Sequence, residues 1–140
     1  MNYKLLDHTA DLKVEIFGRD LPELFASAAF MLFDVMVDLE RVKEVQSEEV
    51  KIASDDLSEL FLDWLRELLF LFSTRGLVIK RVRIKRLDEL ALALEATVYG
   101  EPYEPNRHGL KIEIKTPTYH QFAIRKKEDG GWQATVIFDV

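Results

Sequence analysis

The sequence predicts an α+β domain: a mostly antiparallel or mixed β-sheet with two main helices packed on one face. Three observations point there. Two amphipathic helical stripes fall in the first half of the chain, and strand patterns fill almost everything after Gly76. Glu128-Asp129-Gly130-Gly131 then separates two strand-like segments as a hairpin turn would. With 140 residues and no linker, repeat or low-complexity stretch, one domain spanning 1–140 is expected. A parallel, doubly wound fold would instead alternate strands and helices to the end of the chain.

From Leu12 the apolar residues take even positions (Leu12, Val14, Ile16), and Asp11, Lys13 and Glu15 take the odd ones, so a half-buried strand begins there. A helix follows over Leu21–Val37, opened by Asp20 as N-cap with Glu23 at the third helical position. Its buried stripe reads Leu21, Leu24, Phe25, Ala28, Leu32, Val35 and Met36. Val50 and Ile52 mark a short strand. The second helix is expected over Leu57–Thr74, with Asp56 and Glu59 as its capping box and Gly76 as its stop. Leu57, Leu60, Phe61, Trp64, Leu65, Leu68 and Phe72 face its core. Glu59, Asp63, Arg66 and Glu67 form the polar stripe, which Phe70 continues by helical spacing. An aromatic there is either covered by a nearby loop or strand or presented to a partner.

Leu77–Arg86 and Leu90–Tyr99 read as an antiparallel pair turning at Asp88, and Leu110, Ile112 and Ile114 as a further alternating strand. Phe122–Lys126 and Trp132–Phe138 flank the hairpin turn. In the last strand Trp132, Ala134, Val136 and Phe138 face the core, leaving Gln133, Thr135 and Asp139 on the other side.

A 48% hydrophobic, 31% charged composition is that of an ordinary soluble chain. The N-terminus has no basic stretch followed by an apolar one, and no apolar run approaches about 18 residues, so a cytoplasmic location and no membrane association are expected. Zero cysteines fit a reducing compartment. Sparse Asn and Gln beside abundant Glu, Lys and Arg lean toward a thermophilic source. With 19 Lys+Arg against 25 Asp+Glu the net charge is −6, the wrong sign for gripping phosphate backbones over a broad surface. No direct, stable nucleic-acid binding is expected. One basic stripe runs against this balance: Arg81, Arg83 and Lys85 share a strand face, either as a solvated, aggregation-blocking surface or as a dock for an acidic partner.

The chemistry concentrates at the two ends of the chain. Asp7-His8-Thr9-Ala10-Asp11 near the start and Phe138-Asp139-Val140 at the end supply Asp11, Asp139 and the α-carboxylate of Val140. These are the hard oxygen donors that Ca²⁺, Mg²⁺ or Mn²⁺ takes. If the first and last strands are neighbours, Asp11 and Asp139 lie close on one polar face. Crowded carboxylates then need a proton, a basic partner or a metal. The competing reading makes the Asp-Thr run a turn and backbone cap. No Gly-rich phosphate loop, GxSxG elbow or Cys nucleophile is present, and His8, His108 and His120 lack zinc-pair spacing. No catalytic residues are assigned, and an enzyme is not indicated.

Six segments in order, Leu6-Asp7-His8-Thr9-Ala10-Asp11, the helix from Asp63 to Ser73, Gly100-Glu101-Pro102-Tyr103, Arg107-His108, Lys115 with Thr118-Tyr119-His120, and Phe138-Asp139-Val140, together resemble the archease family across essentially the whole chain. Thr116-Pro117 departs from the family pattern, which more often has small non-proline residues there. The resemblance implies a non-catalytic activator of an RtcB-type RNA ligase, which joins ends bearing a 2′,3′-cyclic or 3′-phosphate to a 5′-hydroxyl in tRNA splicing and RNA repair. It implies promotion of GTP-dependent guanylylation of the ligase and multiple turnover. It also implies a divalent metal, usually calcium with Mg²⁺ or Mn²⁺ as alternatives, at Asp11, Asp139 and Val140, with Asp7 and His8 in support. An alternative attached to the same resemblance is a chaperone-like modulator of a tRNA methyltransferase, which would lean on the Phe70 region.

Overall fold

A computed structural model describes residues 2–6 and 11–140. The strands are β1 (Asn2–Leu6), β2 (Leu12–Gly18), β3 (Gln46–Ala53), β4 (Leu77–Asp88), β5 (Ala93–Pro102), β6 (Thr116–Pro117), β7 (Ala123–Lys126) and β8 (Trp132–Asp139). The helices are α1 (Leu21–Met36), α2 (Leu57–Ser73) and the four-residue α3 (Pro105–His108). One sheet runs β1-β2-β8-β6 with β7 also on β8, and the other β3-β5-β4; every pairing is antiparallel. The fold is thus α+β, as expected, with the antiparallel strands divided between two sheets.

Both long helices start where their caps dictate. Asp20 accepts from the Glu23 amide at 2.8 Å and Asp56 from the Glu59 amide at 2.8 Å, each cap worth about 1 kcal/mol. The first helix ends one residue before Val37, which turns extended. The second ends at Ser73, and Gly76, at φ +66°, closes it with its amide on the Phe72 carbonyl at 3.0 Å. α1 lies against β2 and β4, so its buried stripe joins the two sheets into one core. Trp64 of α2 is fully buried there, and its indole N–H donates to the Phe25 carbonyl at 2.9 Å. That bond satisfies the one polar atom the ring brings inside.

The edge strand β1 is tied to α1 by Tyr3, whose hydroxyl donates to Asp34 Oδ2 at 2.5 Å. Burial, then the Asp34 bond and its charge, push the phenol up to about 12. Because the folded value is raised above the ordinary 10.0 of a tyrosine, this contribution is complete below pH 10 and is lost as pH rises toward 12. An alkaline melting series should therefore show stability falling across that window, and Tyr3→Phe should flatten the fall while lowering stability at neutral pH. An unchanged alkaline slope would detach Tyr3 from it.

Three expectations need correction. Leu110, Ile112 and Ile114 form no strand. Their segment is used for capping instead, since the Lys111 amide donates to the last helical carbonyl of α1, Met36, at 2.7 Å and the Lys115 amide to Asp139 at 2.8 Å. Only Ile114 is buried; Leu110 and Ile112 are exposed. The Val50 and Ile52 strand is longer than expected, running eight residues as β3. Phe70 is not covered: it is 47% exposed.

Candidate functional site

The first and last long strands are neighbours. β2 and β8 pair from Gly18↔Trp132 to Leu12↔Phe138, with Val14, Ile16, Ala134, Val136 and Phe138 all buried on the core side. The ladder ends at Leu12↔Phe138, and Asp11 and Asp139 are the next residues in sequence beyond that last pair. Asp11 is half-buried in the bend leading into β2, and Asp139 is exposed at the end of β8. Asp139 is held through its main chain: it pairs with Thr116, and its carbonyl accepts from the Lys115 amide at 2.8 Å. Its carboxylate is left for other work. Val140 follows, 44% exposed. Asp7 and His8 lie outside the described residues.

This face is partly roofed by the 116–122 segment. The Thr118 amide and hydroxyl both donate to the Ile137 carbonyl at 2.9 Å, and Ile137 is 1% exposed although it points away from the main core. Lys13 pairs with Ile137 in register, one row from the carboxylates, and its ammonium donates to Gln121 Oε1 at 3.0 Å. The alternation that placed Asp11 on the polar face also placed Lys13 there. Gln121 sits 108 residues away in sequence, and no local pattern announced it.

By donor chemistry the carboxylates of Asp11 and Asp139, next in sequence to the paired Leu12 and Phe138, suit a hard cation, being oxygen donors with neither sulfur nor nitrogen between them. Among the described residues no group of three or more His, Cys, Asp or Glu side chains is gathered to hold a metal. Two surface grooves lie elsewhere. One, of about 450 Å³, is lined by Phe17, Arg19, Lys127 and Trp132 at the far end of β2 and β8. The other, of about 190 Å³, lies between α1 and β4.

Among the remaining motif residues, Glu101, Arg107 and His108 form a structural cluster. Glu101, 3% exposed, accepts from the Lys43 amide at 2.7 Å, from Arg107 at 2.7 Å and from His108 Nε2 at 3.0 Å. Burial pushes its carboxyl up, but these three donors outweigh it and hold the group below the usual range. The Glu104 amide donates to His108 Nδ1 at 2.9 Å, so the single proton of a neutral ring belongs on Nε2, facing Glu101. His120 is exposed, so the described histidines do not converge. The basic stripe on β4 is largely neutralised: Arg81 binds Glu44 at 3.0 Å and stacks over Tyr99, and Lys85 binds Glu49 at 2.8 Å. Its docking reading gains nothing from the structure.

The fold is that of a small α+β protein with two antiparallel sheets. The model of the Archease protein family (MTH1598/TM1083) matches residues 3–140. The chain is 38% identical to protein archease of Methanosarcina acetivorans over 140 residues, covering 99% of this chain and 95% of that one. It is 36% identical to protein archease of Pyrococcus abyssi over 135 residues, covering 96% and 95%. Its fold is similar to the solution structure of Methanobacterium thermoautotrophicum protein 1598, with TM-score 0.81 and 35% identity over 99% of this chain and 98% of that chain. The chain belongs to the archease family. Membership supports a role in tRNA processing as a protein cofactor of an RNA-processing enzyme, itself non-catalytic. Among the described residues no helix is long and apolar enough to cross a membrane.

Proposed function

We propose that this protein activates an RtcB-type RNA ligase, promoting GTP-dependent guanylylation and repeated turnover, through a divalent-metal site formed by Asp11, Asp139 and the Val140 α-carboxylate. The observation that carries this reading is the β2–β8 register, which brings residues from the two ends of the chain to opposite sides of one strand pair. Family membership supports the partner class. A bound cation would supply positive charge at an otherwise anionic face. The chain's own residues do the rest. Asp139 is anchored by its backbone, so its carboxylate can meet a partner without disturbing β8, and Asp11 stands in the bend just before β2. Calcium is the first expectation for the ion, with Mg²⁺ or Mn²⁺ also compatible with these donors. Asp7 and His8 are the proposed support.

The test is a guanylylation assay with a cognate ligase, GTP and Mn²⁺, with and without this protein. Acceleration is expected at substoichiometric amounts, with no GTPase or ligase activity from the protein alone. Unchanged ligase kinetics across a range of ratios would refute the reading. The exposed Phe70 favours one rival, the chaperone-like modulator of a tRNA methyltransferase. In that case Phe70→Ser would abolish function and Asp139→Ala would not.

Val140 gives a separate test. In a chain that ends at Val140 the last group is an anionic carboxylate, and adding a few glycines turns it into a neutral amide carbonyl, a poorer ligand for a hard cation. A glycine extension, a C-terminal His-tag or amidation should weaken metal affinity measured by calorimetry, and a tag before Met1 should have a much milder effect. Equal affinities would remove Val140 from the site, as expected of an exposed strand end that tolerates additions.

A further inference from the structure

The larger of the two surface grooves, about 450 Å³, opens at the end of the β2–β8 pair away from Asp139, and the proposed function gives it no part. Its size falls within the roughly 300–1,000 Å³ of small-molecule sites. Two half-buried aromatic rings line it, Phe17 and Trp132. Trp132 packs against the edge of the core. Phe17 stands on the opposite face of β2 from the buried Val14 and Ile16, paired in register with Asn2 and Gln133, so its ring has polar neighbours rather than a core to fill. The Lys127 ammonium lies 5.6 Å from its centroid.

Four charged side chains also line the groove, two of each sign, and they are unequally committed. Glu23 accepts from the Arg19 amide at 3.3 Å and from Arg19 Nε at 2.8 Å, and the side-chain bond holds its carboxyl below the usual carboxylate range. Asp129 Oδ1 accepts from the Gly131 amide at 2.8 Å. The cations are less spent. Arg19, its side chain 90% exposed, reaches Glu23 through Nε, which keeps its Nη donors for a ligand. Lys127 stands 3.9 Å from Asp129, too far for a hydrogen bond. Satisfied carboxylates beside open cationic donors favour an anion, and the two rings favour a flat π-system joined to it.

We propose that this groove binds a nucleoside phosphate, its base stacked on Trp132 and Phe17 and its phosphate held by Arg19 and Lys127. Stacking reads the face of a base and not its edge, so adenine and guanine should bind alike. One nucleotide needs no broad basic surface, so a net charge of −6 does not oppose it. A free mononucleotide and the terminal nucleotide of an RNA strand present the same chemistry. The inference is independent of the metal-site reading.

The test titrates the full chain, in metal-free buffer, with AMP, GMP, adenosine, inorganic phosphate and a short RNA. Calorimetry gives affinity, and the two indole N–H signals in a heteronuclear NMR spectrum give location. Trp132 reports the groove, and Trp64, fully buried with its N–H on the Phe25 carbonyl, reports the core. AMP and GMP should move the Trp132 signal, leave that of Trp64 still, and agree in affinity within about threefold. Adenosine and phosphate should each bind at least about tenfold more weakly than AMP. Trp132→Leu should weaken AMP binding by about tenfold, and Arg19→Gln and Lys127→Gln by about three- to tenfold each, less at high salt. Arg19 and Lys127 reach the surface, so these two variants keep the test decisive should Trp132→Leu misfold. A still Trp132 signal at millimolar AMP, equal movement of Trp64, or unchanged affinity in the Arg19→Gln, Lys127→Gln double variant would overturn the site. Tighter binding of the RNA than of AMP would support it with a strand end as ligand, and the reverse order would support it with a free nucleotide.

Discussion

Asp139→Ala and Asp11→Ala should each abolish ligase activation and weaken metal binding by more than about tenfold while leaving the fold intact. Asp139 is exposed, and everything the structure gives it to do in β8 is done by its main chain, through the Thr116 pairing and the carbonyl bond from Lys115. Deleting such a carboxylate usually changes stability by no more than about 0.5 kcal/mol. Metal-free melting curves and circular dichroism check the fold, and calorimetry and guanylylation rates check the site. A large fall in melting temperature, or loss of helical signal, would make these residues structural.

Gly100→Ala should have the largest effect on stability. A Cβ at Gly100 would lie 1.8 Å from the Val78 carbonyl oxygen, 2.8 Å from its carbon and 3.0 Å from Ile79 Cα, all backbone of the neighbouring β4. No rotamer can relieve a clash with backbone, so β5 and β4 must separate. The β4–β5 register already shifts between Ile79 and Arg81. The expected cost is about 3 kcal/mol or more, lowering the melting temperature by on the order of 10 °C. Gly76→Ala is the control. It sits at φ +66° with nothing within 4 Å of the added carbon, so it carries only a conformational penalty of about 1 kcal/mol. Thermal denaturation of the two variants side by side measures the difference; equal losses would mean the strands can part cheaply.

Which features were legible follows from the range of the interactions that make them. The helix starts at Asp20 and Asp56, the stop at Gly76, the turn at Gly130 and the β2 alternation are all set within a few residues, and each appears where the sequence put it. Gly130 stands at φ +91° in that turn, and the Asp129 carboxylate accepts from the Gly131 amide at 2.8 Å. The 110–114 segment shows the limit. Its alternation is that of a strand, yet its amides end on α1 and β8, and periodicity carries no information about which acceptors are within reach. Phe70 is a second case, because whether a loop covers a helical aromatic depends on where distant segments pass.

The sequence by itself determined that this is an α+β chain with two capped helices and that the chain resembles the archease family. Those properties reside in residue identity and short-range spacing. Only the tertiary structure decided that β2 and β8 are partners, in a register whose last pair is Leu12↔Phe138. It alone showed that the buried Glu101 carboxylate is held by Arg107 and His108, and that Lys13 and Gln121 meet across the fold. Strand partnership and side-chain bonds across 108 residues depend on how the whole core packs, because closing so long a loop is worthwhile only once the elements between have folded together.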